Sequence, residues 1–298
     1  LAEIGEMARS GAQVNFFSDD GRCVNDAGLM RRAMEYARTF DAVIANHAED
    51  AALHGGGHMH EGEISSRLGI RGVPPEAEEV VIARDIALAR LTGCRLHVPH
   101  VSTARSVELI SAAKAEGLPV TAEVCPHHLV LTDAKIAESY DPLFKVAPPL
   151  RPESDILALR DALCDGRIDC VATDHAPHPI EDKEHEFDRA PCGMLNLETA
   201  ASLIHQTLVA EGKMDWRRFA EVMSITPAAI RGLGEHGTLS EGAVANLAVF
   251  DPEQTWTVEP QRLASKSSNT PFAGWELRGK VRHTIYQGRF TLKDGEDI

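Results

Sequence analysis

Four side chains that can bind a metal ion follow short apolar runs in the sequence. They are Asp20, His47, His100 and Asp174. In α/β barrels the carboxyl ends of the parallel strands form one common face, so side chains at these ends converge. Two imidazoles and two carboxylates make a ligand set that suits zinc, manganese or a similar divalent ion. The pattern therefore predicts a divalent metal centre at one end of a parallel sheet.

The alternation of side chains along a strand supports this choice of histidines. Val43 and Ala45 have the same parity as His47, so all three can point to one face of the sheet. His97 and His100 differ in parity, so at most one of them continues an inward-facing row. His100 is the better candidate because it lies nearer the carboxyl end of its apolar run.

Each of these residues also has a structural interpretation, since a lone histidine at a strand end is more often a hydrogen-bonded structural residue than a metal ligand. Asp20 precedes Gly21 and is compatible with a turn, and Asp174 could cap a helix. His127 and His128 follow another apolar run, where a structural role is favoured over metal ligation. The metal hypothesis depends on the same placement recurring in successive units.

Five strand–helix units must position these groups. Strands are predicted at 13–18, 42–46, 94–101, 119–124 and 168–173, with helical periodicity between them and a helix cap at Ser154. This order predicts a parallel sheet, which is compatible with an open doubly wound sheet and with a closed barrel. We expect a long loop around 55–57, and helices at 195–210, 216–224 and from 226. Strand-like runs at 247–250 and 281–286, with a turn at 251–252, predict a small β module over 237–298 after a main domain over 1–236.

The composition narrows the class of protein. The 298 residues carry a formal charge of −15, which argues against a nucleic-acid partner and against anionic lipid. No apolar run is long enough to span a membrane. The six cysteines form no C-x-x-C pair, as is typical of reduced thiols in the cytoplasm. We therefore expect a cytoplasmic protein that acts on a small molecule.

Seven segments together resemble a known family. They are FSDDG at 17–21, NHAE at 46–49, HVPHVST at 97–103, EVCPHH at 123–128, PPLR at 148–151, ATDHAPH at 172–178 and NTPFAGW at 269–275. In this order they are similar to the amidohydrolase superfamily, and most of all to class I dihydroorotases. The resemblance implies a zinc-dependent (β/α)8 TIM barrel with a β module. It also implies the reversible cyclisation of N-carbamoyl-L-aspartate to L-dihydroorotate in pyrimidine biosynthesis.

The resemblance also implies roles for single residues of this sequence. Asp20 corresponds to a carboxylate that bridges two zinc ions, and His47 and His100 to ligands of one of them. Asp174 corresponds to the ligand of the other zinc and to the catalytic acid and base. His178, Ala147 and the backbone of Cys192 and Gly193 correspond to substrate contacts, although many members have Asn where Ala147 stands. Hydantoinases and allantoinases usually have a carboxylated lysine where Asp20 lies, so Asp20 favours a dihydroorotase.

One departure from the family pattern lies before Asp20. The family's His-x-His pair and following Arg are absent there, and His58-Met59-His60 lies in the wrong segment to replace them. We therefore expect an incomplete barrel of about strands 4 to 8, a second zinc that binds weakly, and a chain that is inactive alone.

Two other functions stay open. A cyclic-amide hydrolase of the hydantoinase or allantoinase type would share the site but prefer another ring. A non-catalytic dihydroorotase-like subunit that scaffolds aspartate transcarbamoylase would fit the missing pair. A homo-oligomer and an association with that transcarbamoylase are the protein partners to consider, beside one or two zinc ions per site.

Overall fold

The computed structural model describes residues 1–297, which form a parallel sheet, an antiparallel sheet and the helices around them. The strands are β1 (Phe16–Ser18), β2 (Val43–Ala45), β3 (Met59–His60), β4 (Gly72–Val73), β5 (Arg95–Val98), β6 (Val120–Val124), β7 (Cys170–Val171), β8 (Leu247–Thr257), β9 (Glu276–Tyr286), β10 (Arg289–Lys293) and β11 (Glu296–Asp297). The α-helices are α1 (Ile4–Arg9), α2 (Ala27–Arg38), α3 (Ala51–His54), α4 (Glu63–Leu68), α5 (Glu76–Thr92), α6 (Ala104–Ala115), α7 (Pro126–Val130), α8 (Ala134–Ser139), α9 (Glu153–Asp165), α10 (Ile180–Lys183), α11 (Ala200–Ile204), α12 (Trp216–Ala220) and α13 (Thr226–Ile230). Two π-helical segments, His205–Val209 and Glu221–Ile225, and two 3₁₀ turns, Pro142–Phe144 and Pro260–Arg262, complete the assignment.

The parallel sheet has the order β1-β2-β5-β6-β7, so the predicted units are neighbours in chain order. All four pairings are parallel. The crossover helices begin at side-chain caps: Asp26 accepts the Leu29 N–H at 2.6 Å before α2, and Thr103 accepts the Ser106 N–H at 3.0 Å before α6. The predicted Ser154 cap is wrong, because α9 begins at Glu153, directly after Pro152.

The two faces of this sheet differ in chemistry. Ile44, Leu96 and Ala122 pack into one core with apolar residues of α2, α5, α6 and α9. Because strand side chains alternate, the opposite face carries the intervening residues. These include His97 and Glu123, whose Nε2 and Oε2 atoms lie 2.9 Å apart. The helices therefore cover one face, and the other carries these polar groups beside apolar residues such as Val43 and Ala45.

The second sheet is antiparallel, with the order β11-β10-β9-β8. The turn predicted at Asp251 and Pro252 is wrong, because β8 continues through both residues to Thr257. Its register against β9 shifts between Asp251 and Thr255. Proline has no N–H for a ladder, and a bulge is where a strand tolerates it.

Three other segments differ from the sequence prediction. The expected long loop around 55–57 is interrupted by a short strand, because β3 begins at Met59 and pairs in parallel with β4. His127 and His128 lie in α7 rather than at a strand end, because Pro126 at the first helical position starts a helix. The segments after Trp216 form one continuous run of helix through Glu221–Ile225 into α13 rather than two helices.

Across residues 1–297, none of the helices combines the length and hydropathy of a membrane span.

Candidate metal centre

Asp20, His47 and His100 meet beyond the carboxyl ends of three adjacent strands. Each lies two residues after the end of its strand, β1, β2 or β5. The register sets Ser18 beside Ala45 and Ala45 beside His97, so the three strand ends lie within one residue of each other. His100 has a φ of 37°, so its backbone leaves the strand geometry. Parity along β5 therefore does not determine where its side chain points.

The three ligand atoms form a small triangle. His47 Nδ1 lies 3.2 Å from Asp20 Oδ1 and 3.0 Å from His100 Nε2, and the remaining edge is 3.5 Å. Tetrahedral zinc with bonds of 2.0–2.1 Å requires edges of about 3.3 Å. The histidine side chains are 7% and 6% exposed, whereas Asp20 is 59% exposed. The residues present thus fit a divalent ion that is open to solvent on the carboxylate side.

Electrostatics within the triangle favour a cation. Hydrogen bonds from His100 and His47 hold the pKa of Asp20 far below its ordinary value, so its carboxylate is ionised. Burial opposes protonation of His47, but the carboxylates of Asp20 and Glu49 outweigh it and raise its pKa to about 9. The carboxylates around His47 therefore favour positive charge at this centre.

Asp19 supports this centre and was missed by sequence reasoning. Its Oδ1 accepts the backbone N–H of His47 at 2.8 Å, and its Oδ2 accepts that of Val24 at 2.6 Å. This links the loop that carries Asp20 to the loop that carries His47. The signal in the sequence was a second carboxylate beside Asp20, but nothing showed which of the two faces the histidines.

Asp174 lies near the triangle but outside it. It follows β7 by three residues and has a φ of 45°. The close group of ligand atoms contains Asp20, His47 and His100 alone. Burial raises the pKa of Asp174, His100 lowers it, and Asp20 raises it again. The charges of the centre thus reach Asp174, and its burial disfavours the ionised form.

Three of the four expected substrate contacts, His178, Cys192 and Gly193, lie together. His178 Nε2 contacts the Cys192 carbonyl oxygen at 2.8 Å, and the Gly193 N–H donates to the Lys145 carbonyl at 2.9 Å. Asn269 joins the two segments, since its Oδ1 accepts the His178 N–H at 3.1 Å and its Nδ2 lies 3.3 Å from the Gly193 oxygen. Ala147 lies two residues after Lys145, with its side chain half-buried.

A second group of potential ligands lies at α7. Cys125, His127 and His128 are fully buried and close together. His127 Nδ1 contacts Asn196 at 2.9 Å, and His128 Nε2 contacts the Pro148 oxygen at 3.0 Å. Burial lowers the pKa of both histidines, so both are neutral. Each histidine thus has one ring nitrogen in a polar contact, whereas His127 Nε2 and His128 Nδ1 are buried without a hydrogen-bond partner within residues 1–297.

Comparison with known proteins places the chain in a family. The sequence model of the amidohydrolase family matches residues 4–291. The chain belongs to the amidohydrolase family. Amidohydrolases similar to it include the dihydroorotase of Streptomyces coelicolor, which is 52% identical over 99% of this chain and 69% of its own length. The dihydroorotase of Mycobacterium tuberculosis is 51% identical over 99% of this chain and 69% of its own length.

Solved amidohydrolase structures share the fold. Dihydropyrimidinase from Brevibacillus agri superposes with a TM-score of 0.86 at 25% identity, covering 98% of this chain and 67% of that one. L-Hydantoinase from Arthrobacter aurescens gives 0.85 at 30% identity, covering 96% and 65%. The chain thus spans about two thirds of the length of these amidohydrolases, with the parallel sheet and the separate antiparallel sheet described above.

Proposed function

We propose that this amidohydrolase is a dihydroorotase of class I, which interconverts N-carbamoyl-L-aspartate and L-dihydroorotate. The observation that carries the proposal is its identity of about half to relatives named dihydroorotase over nearly the whole chain. The geometry supports it, because Asp20 occupies the metal centre as a carboxylate with His47 and His100. The fold neighbours named hydantoinase are less similar in sequence, which favours dihydroorotate as the ring.

Different residues at the site have different roles in ring opening. Asp20, His47 and His100 would hold a divalent ion, which supplies a Lewis acid when bound. Water adds to the ring amide carbonyl, and Asp174 takes the proton that the water loses. The carbon–nitrogen bond then breaks, and Asp174 returns the proton to the departing nitrogen. Burial raises the pKa of Asp174 above its ordinary value, which is the direction of shift that a carboxyl group acting as general acid and base requires.

A single tightly held ion is expected in this chain. Three protein ligands with an open position are typical of a catalytic zinc site. Within residues 1–297, a second ion beside it would have only Asp20 and Asp174 as protein ligands and would bind weakly. We further propose that the five parallel strands belong to a (β/α)8 barrel and that residues 237–298 form its β module. The helices on one face and the sequential strand order support this proposal.

Substrate preference tests the proposed function. Zinc-loaded chain is assayed with L-dihydroorotate, hydantoin and allantoin, and binding constants are compared where turnover is slow. Dihydroorotate is expected to be the preferred ring. A preference for hydantoin or allantoin would assign the chain to the other cyclic-amide hydrolases. A chain that binds neither zinc nor any of the rings, but forms a complex with aspartate transcarbamoylase, would favour a scaffolding subunit.

A further inference from the structure

Two lysines beside the candidate site are buried without an ion-pair partner. Lys145 and Lys183 are 4% and 3% exposed. In the part of the chain that the structure describes, the lysines with a carboxylate within 4.0 Å are Lys114, Lys135 and Lys213. Buried charges are normally paired, because the cost of removing an ion from water is high. Two unpaired ammonium groups in one place therefore require a physical explanation.

Both ammonium groups are held by the backbone of one segment, residues 188–193. Lys145 Nζ donates to the carbonyl oxygens of Asp188 at 3.1 Å and Ala190 at 2.7 Å. Lys183 Nζ donates to those of Pro191 at 2.8 Å and Gly193 at 3.0 Å. An ammonium group has three N–H donors, so one donor of each lysine is not used by these contacts.

The 188–193 segment adjoins the residues proposed to act on the substrate. A Cβ built on Gly193 would lie 2.5 Å from Ala176 Cβ and 3.0 Å from His178 Nε2. Burial raises the pKa of the Cys192 thiol, the charges of Lys145 and Lys183 lower it, and that of Asp174 raises it. The peptide bond is planar, so the Pro191 carbonyl that faces Lys183 turns the Cys192 N–H to the opposite side. The segment thus lies between two cations and the reacting end of the site.

We propose that the ammonium groups of Lys145 and Lys183 form a positively charged support beneath the 188–193 segment. Through this support the site selects a cyclic amide that carries a carboxylate over the same ring without a carboxylate. The inference rests on the proposed function for the identity of the ring. The two ammonium groups orient the backbone of the segment and provide positive potential where the carboxylate lies. They are positioning and selectivity residues, because they act on the substrate through the segment. Burial lowers the pKa of Lys183 to about 8, so it is still largely protonated at neutral pH.

Binding of two matched rings tests the inference. L-Dihydroorotate and 5,6-dihydrouracil share the ring and differ in the carboxylate. Their dissociation constants are measured by calorimetry at pH 7 for the zinc-loaded chain and for Lys145→Met and Lys183→Met. Lys135→Met is the control, because Lys135 pairs with Glu138 at 3.1 Å outside the segment. Thermal unfolding establishes that each variant is folded.

We expect each site variant to weaken dihydroorotate binding by roughly 10- to 100-fold, as for loss of a nearby charge at an effective dielectric of about 20. Dihydrouracil binding should change by less than about twofold, and the control should match the unaltered chain. Equal weakening for both rings would show a merely structural role and overturn the inference. If the variants do not fold, the unaltered chain still tests the inference, because equal affinity of this chain for the two rings would also overturn the inference.

The same measurements separate this inference from the proposed function. A chain that distinguishes dihydroorotate from dihydrouracil through both lysines but binds hydantoin or allantoin more tightly than either would overturn the proposed function and support the inference. A chain that hydrolyses dihydroorotate with unchanged selectivity in both variants would overturn the inference alone.

Discussion

At the residue scale, the candidate centre depends on three side chains and on the groups that fix them. Asp20, His47 and His100 were predictable because each follows an apolar run by a similar offset. Asp19 was not, because its role is a pair of backbone contacts across two loops. Lys145 and Lys183 were not predictable either, since their partners are carbonyl oxygens of a separate loop. A sequence shows residue types at such positions, but not the contacts that long-range packing creates.

Replacing Asp19 tests its support of the metal centre. Asp19→Ala removes the acceptor of the His47 N–H, so His47 loses its fixed position and zinc affinity should fall by roughly 10- to 100-fold. Asp19→Asn keeps one acceptor and should have an intermediate affinity. The measurement is a zinc competition titration with a chromophoric chelator.

Asp26→Asn is the control for this experiment, because Asp26 caps α2 and has no contact with the centre. Its zinc affinity should equal that of the unaltered chain. Unchanged zinc affinity in Asp19→Ala would contradict the supporting role.

At the element scale, the parallel sheet was predictable in order and direction, but its strands are shorter than predicted. The apolar run at 168–173 contains a strand of only two residues, Cys170–Val171. Apolar residues beyond the strand end still pack in the core, so hydrophobicity alone does not mark where strand pairing ends. The π-helical segment at Glu221–Ile225 was also not predictable, because its periodicity resembles that of an α-helix. Side-chain chemistry thus located the site better than it located the element boundaries.

Gly193→Ala tests the contact between the 188–193 segment and the strand-end loop after β7. Gly193 has a φ of 126°, and an added Cβ would meet Ala176 Cβ at 2.5 Å. We expect a loss of about 1–3 kcal/mol in the free energy of unfolding and weaker dihydroorotate binding, measured by denaturant titration and calorimetry.

Gly212→Ala is the matched control, since Gly212 has a φ of 72° and open space around it. An alanine at this position has an unfavourable positive φ but no steric clash, so the free energy of unfolding should fall by less than in Gly193→Ala. Ring binding should not change. Equal losses of stability in the two variants, with unchanged binding in both, would contradict the proposed packing role of Gly193.

At the scale of the whole molecule, a buried polar network connects the segment around β3 to the strand-end loop after β5. Arg151 Nε donates to Ser102 Oγ at 3.0 Å, and its Nη1 lies 3.1 Å from His60 Nδ1. The Ser102 N–H donates to Glu78 Oε1 at 3.1 Å. Burial and then the charge of Arg151 lower the pKa of His60 to about 4. Because Ser102 lies two residues after His100, the network links the fold's stability to the loop that carries a metal ligand.

The stability of the chain should therefore decline in mild acid. Between about pH 6.5 and 4, the unfolded chain binds a proton at His60 that the folded chain does not bind. The free energy of unfolding should fall through this range by up to about 3 kcal/mol from this group, and not change from it above pH 7. His60→Asn keeps an acceptor for Arg151 but does not titrate, so its stability curve should be flatter below pH 6.5.

Thermal unfolding followed from pH 7.5 to 4.5 measures this effect. His185→Asn, at an exposed position, is the control and should keep the slope of the unaltered chain. An unchanged slope in His60→Asn would contradict the assignment of the acid sensitivity to this network.

The central claim is that one divalent ion binds between Asp20, His47 and His100. A crystal of the zinc-loaded chain, with data collected on both sides of the zinc absorption edge, tests it most directly. We predict one strong anomalous peak about 2.0–2.2 Å from Asp20, His47 Nδ1 and His100 Nε2. A strong peak at Cys125, His127 and His128 instead, or no peak within bonding distance of Asp20, His47 and His100, would contradict the account.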